Sequence, residues 1–153
     1  MKHCAGWLIS TVALLTVSGA VPPTVPPLPQ VIEAWSGQHG QTSAASTHVV
    51  RTPEEWRSVW RLVGRSEPRP LDPAKEIAVA VFLGERRTGG FAVDIVETAI
   101  HENQLIVSYR EKTPAPGRMV AQIITSPWTI AALSASNLAV TFRALPSKPA
   151  VRP

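Results

Sequence analysis

The chain has 153 residues, 44% of them hydrophobic and 17% charged, with a formal charge of +4. That length and apolar fraction suit one domain with its own core. A single cysteine, Cys4, rules out an internal disulfide framework. Dispersed arginines argue against a dedicated nucleic-acid surface and read as a mildly basic, solvated exterior.

Residues 1–20, MKHCAGWLISTVALLTVSGA, have the form of a secretory signal peptide. Lys2 supplies the positive start, Gly6–Val17 is largely apolar and uncharged, and Ser18-Gly19-Ala20 is a small-x-small cleavage site. The apolar run is too short for a comfortable membrane span, and Cys4 precedes it, where a lipidated cysteine would follow. Cleavage would leave a cysteine-free chain of charge +3, secreted or periplasmic, with no stable membrane anchor. Val21–Gln30, VPPTVPPLPQ, has five prolines in ten residues and is expected as a stiff, extended linker. The domain proper is expected over 31–145.

Val31–Trp35 and Thr47–Val50 read as short strands around the polar loop SGQHGQTSAAS. Thr52 then opens a helix over Pro53–Val63. Thr52 is the N-cap, Pro53 occupies the first turn, Glu55 completes a capping box, and Gly64 stops the helix. Trp56, Val59, Trp60 and Val63 fall at i, i+3, i+4 and i+7, an apolar stripe expected in the core. SEPRPLDP returns the chain to the sheet.

Ile77–Leu83, IAVAVFL, is a β-branched run suited to a strand covered on both faces. Phe91–Val96 alternates as a second strand. Between them, Glu85-Arg86-Arg87-Thr88-Gly89-Gly90 is expected as the loop of a hairpin. It would be either a plain bend with solvated arginines or a rigid loop presenting amides and guanidinium groups to a partner. A turn at His101-Glu102-Asn103 leads to a third strand over Leu105–Arg110. After the rigid loop TPAPGR come a fourth strand, Val120–Thr125, the break Ser126-Pro127-Trp128, a short apolar stretch Thr129–Leu133, and a closing strand Leu138–Phe142. Residues 146–153 are expected as a disordered tail.

The expected fold is therefore α+β: an antiparallel sheet of five or six strands with one helix packed on a face. The alternative is a small β-sandwich with that helix as an excursion.

Three motifs stand in order: GERRTGGF from Gly84 to Phe91, then Pro114-Ala115-Pro116-Gly117, then Thr125-Ser126-Pro127-Trp128. In this order they resemble the C-terminal domain family of PrcB, which carries G-E-R-x-T-G-G-Y/F, P-x-P-G and T-S-P-aromatic. The resemblance runs from about Val49 to Phe142. The family is named for an accessory subunit of a secreted bacterial protease complex. The resemblance implies an extracytoplasmic, non-catalytic domain associated with a protease. TGGF and SPW also stand in an order similar to T-T-G-Y and R-P-W in the loops of chagasin-type inhibitors of cysteine proteases. By that analogy the second functional reading is a loop-based protease inhibitor.

Catalytic chemistry has little to draw on. His39, His48 and His101 sit in separate contexts, no serine lies in G-x-S-x-G, and no close ligand cluster suggests a metal. Asp72 suits a turn and Asp94 a solvent-facing strand position. No catalytic residue, cofactor or metal is expected. If the sheet is antiparallel, the loops GERRTGG, TPAPGR and TSPW can gather at one end and form a recognition surface. The candidate partner-binding residues are Arg86, Arg87, Thr88, Gly89, Gly90 and Trp128. Trp128 is either an exposed anchor or a buried strand-end residue. The expected partner is an extracytoplasmic protease or another secreted protein.

Overall fold

The computed structural model describes residues 27–149, so the signal-peptide segment and most of the proline-rich linker lie outside the described residues. The elements are β1 (Val31–Gly37), β2 (Ser46–Val50), α1 (Pro53–Val63), β3 (Glu76–Phe82), β4 (Ala92–His101), β5 (Gln104–Thr113), β6 (Trp128–Ser134) and β7 (Ala139–Pro149). The strands form two sheets where one was expected. The first has the order β1-β6-β3-β2 and the second β4-β5-β7. Every pairing is antiparallel except β5 with β7, which is parallel.

The central strands explain the layering. β3 (EIAVAVF) is buried at every position and β6 (WTIAALS) at all but the last, as strands covered on both faces must be. One face carries Ala78, Ala80, Phe82 and Ile130, which pack with Trp56, Val59, Trp60 and Val63 of α1. The other carries Ile77, Val79, Ala131 and Leu133, which pack against Leu105 and Val107 of β5. The molecule is thus a helix, a four-stranded sheet and a three-stranded sheet in three layers.

α1 forms where its end signals place it. Thr52 Oγ1 accepts from the Glu55 amide at 3.2 Å, and Glu55 Oε2 accepts from the Thr52 amide at 3.1 Å. Gly64 closes the helix at φ 77°. Four indoles, Trp35, Trp56, Trp60 and Trp128, lie with centroids 5.5–5.9 Å apart in mostly edge-on contacts. Such tilted pairs add to area burial through the ring quadrupole.

Several expectations are corrected. Ile77–Leu83 and Phe91–Val96 do not form a hairpin. β3 pairs with β2 and β6, while β4 pairs with β5, so residues 83–91 carry the chain from one sheet to the other. Val120–Thr125 is irregular and contributes only an isolated bridge at Thr125. The short apolar stretch after Pro127 is the central strand β6. β7 runs past Leu145 to Pro149, so the tail expected from 146 is paired that far. No helix among the described residues is long and apolar enough to cross a membrane.

Candidate functional site

Three connections cross between the sheets, and two of them, the crossovers of residues 83–91 after β3 and residues 114–127 after β5, are laced together. The Arg86 amide donates to the Thr125 carbonyl at 2.7 Å, and the Thr125 amide returns a bond to Arg86 at 2.9 Å. Thr125 Oγ1 donates to the Thr88 carbonyl at 2.9 Å, and the Gly89 amide donates to Ala121 at 2.8 Å. The Leu83 amide reaches the Pro127 carbonyl at 2.9 Å. A third segment joins from the first sheet. The Gly40 amide donates to the Ser126 carbonyl at 2.9 Å, the Ser126 amide to Gln38 at 2.8 Å, and Ser126 Oγ to Thr42. The three motifs do gather, at the sheet-to-sheet transition.

Two glycines make this close approach possible. Gly84 has φ 73°, and a Cβ there would meet the Ser43 carbonyl and the Ala44 backbone at 2.7 Å. Gly90 has φ 85°, and a Cβ there would sit 3.1 Å from both Pro114 and Val120. Both positions combine left-handed backbone with a neighbour in contact, which only glycine meets without strain.

The candidate residues divide by environment. The Arg86 guanidinium is committed internally. Nε donates to Glu111 Oε1 at 2.8 Å, Nη2 to Glu111 Oε2 at 3.2 Å and Nη1 to the Leu83 carbonyl at 2.8 Å. It also lies 5.9 Å from the Phe91 ring centroid. The bonds to Glu111 hold the guanidinium protonated even more firmly than usual. Arg86 therefore ties the first crossover to β5 and is a structural clamp. Trp128 is 3% exposed, packed on Trp60 and against Gly37 and Gly40, so it is a core residue and not an anchor. Gly89 is buried, Thr88 half-buried, and Arg87 and Gly90 exposed.

The surface the crossovers present was not legible as such. Met119 is 97% exposed, Ile124 66% and Ile123 51%. Beside them lies an open recess of about 320 Å³, lined by Gly89, Gly90, Pro114, Met119, Val120 and Ile123 among others. VAQIIT alternates weakly enough to pass for a strand. The available sign was its position between two proline-bearing breaks, PAPGR and SPW. Exposed apolar side chains clustered on one segment in this way suit an interaction surface.

Several ionisable groups elsewhere are engaged locally. His48 lies edge-on to Phe82 at 5.6 Å and its Nε2 is 3.1 Å from Ser46 Oγ, and partial burial lowers its pKa. Asp94 pairs with Lys112, and Asp72 with Lys75. Among the described residues no three His, Cys, Asp or Glu side chains could hold a metal ion.

Residues 77–134 match the family model described as PrcB C-terminal. The matched span runs from β3 through β6 and contains both crossovers. No curated protein and no solved structure matches the chain.

Proposed function

We propose, from the premise that residues 77–134 carry the PrcB C-terminal signature, that this chain is a secreted or periplasmic, non-enzymatic binding domain. Its partner is an extracytoplasmic protease, which it accompanies as an accessory subunit. One observation carries the reading: Met119, Ile123 and Ile124 are exposed on a connection held from behind by backbone bonds to the TGG loop. Apolar side chains on a pre-ordered backbone bind with little further ordering cost. Arg87, exposed on the neighbouring loop, adds a cationic margin.

The test is capture from the source organism's own secreted fraction, with the full domain as bait against Met119→Asp and Ile124→Asp variants. Both side chains face solvent, so both variants should fold. A protease retained by the parent and lost by the variants is the expected result. Equal capture by all three baits would move the surface elsewhere. Assaying the captured protease separates the two protease readings: an accessory subunit leaves turnover intact, and a loop-based inhibitor suppresses it at equimolar amounts.

A further inference from the structure

We propose that the recess between the crossovers takes one large apolar side chain from the partner, beside a partner Asp or Glu that pairs with Arg118. The proposal rests on the binding reading above and adds the chemistry of what is bound.

The geometry supplies three pieces. The recess of about 320 Å³ is open to solvent and walled by Pro114, Met119, Val120 and Ile123 on a floor that includes Gly89 and Gly90. Its size is at the lower end of small-molecule pockets, roughly 300–1,000 Å³, and suits a single inserted side chain. The lining is apolar apart from Gln38 and Arg118, and its glycine base is held in place: the Gly89 amide is bonded to Ala121, and Gly90 packs against Pro114 and Val120. Buried anchors of interfaces are typically single aromatic or long aliphatic side chains in such pre-formed recesses.

Charge selects the neighbour. Arg118 is the only ionisable residue on the lining. Its amide closes the Pro116-Gly117 turn by donating to the Ala115 carbonyl at 3.1 Å, which fixes where the side chain departs. Among the described residues its guanidinium has no hydrogen bond or ion pair, in contrast to Arg69 and Arg86. Arg69 and Arg86 show what this chain does with an arginine that has an internal role: a two-pronged carboxylate pair. Arg118, exposed on the lining of the recess, keeps the same fork free, and a partner carboxylate would complete it.

The experiment is an NMR titration of the isotopically labelled domain with three blocked tripeptides: Asp-Phe-Asp, Lys-Phe-Lys and Asp-Ala-Asp. The expected result is millimolar binding of the first, with amide shifts confined to Gly89, Gly90 and Met119–Ala121. The Lys peptide should bind about tenfold more weakly, the effect of one charge-assisted pair, and the Ala peptide not at all. Arg118→Glu should invert the preference between the first two, and Ile123→Ser should abolish both. Equal shifts with the Asp and Lys peptides, shifts on another face, or none at several millimolar would each overturn the proposal. Protease capture that survives Arg118→Glu but is lost with Met119→Asp would refute the charge pairing while leaving the binding reading in place.

Discussion

Two arginines define the residue scale, because each holds a carboxylate that links distant parts of the chain. Arg69 grips Glu76 through bonds of 2.6 and 2.7 Å and Glu33 through a third of 2.9 Å. Arg69 first, and then the Asp72 amide, hold the buried Glu76 carboxyl below the usual glutamate range. A carboxyl with a depressed native pKa contributes stability that is complete above its unfolded value, about 4.3, and is lost as the pH falls through the native value. Thermal melts of the parent and Glu76→Gln should therefore differ most near neutral pH and converge as the pH falls below the unfolded value and through the native one. A gap that does not change with pH would refute this account. At the other pair, Arg86→Lys keeps the charge but loses the fork onto Glu111. It should lower stability to urea by about 1–2 kcal/mol, since charge-assisted bonds at half-buried sites exceed the surface norm. An unchanged midpoint would return Arg86 to the role of a surface residue.

At the scale of elements, the β4–β5 hairpin contains the plainest local strain. Its two-residue turn places Glu102 at φ 47° and Asn103 at φ 60°, both left-handed. That is the turn geometry for which Asn-Gly is preferred. The double substitution Glu102→Asn, Asn103→Gly should stabilise the domain by about 1 kcal/mol, or about 4 °C in Tm. A lower Tm would mean that Glu102 has a role outside the turn. Elements with local signals were legible in the sequence: α1 from its capping box, indole stripe and Gly64, and this hairpin from its turn residues. The hairpin expected across Gly89-Gly90 was not, because IAVAVFL shows that both faces are covered but not by which strands. The same holds at the candidate site. The gathering of the three motifs could be anticipated, whereas the confinement of Arg86 depends on Glu111, 25 residues away, and that of Trp128 on α1.

For the whole molecule, order in the chain and order in space run against each other. β1, near the start of the described residues, has no strand partner until β6 arrives, and β6 lies between β1 and β3. Removing everything after Ser126 should therefore leave a chain without cooperative unfolding, although five of the seven strands and the helix remain. A sharp thermal transition in that fragment would show that the first sheet assembles without its central strand.

The late arrival of β6 bears on the export proposed for this chain. A polypeptide threaded through a translocation pore must not mature beforehand, and chaperones ordinarily delay that step. Here the delay is inherent in the topology: with both sheets waiting on residues 128–149, most of the chain can be synthesised before a stable core exists. Contacts between such distant segments also form slowly once they are possible. Under the proposed export, this architecture would lengthen the window for transit, completing itself only after the last strands have emerged.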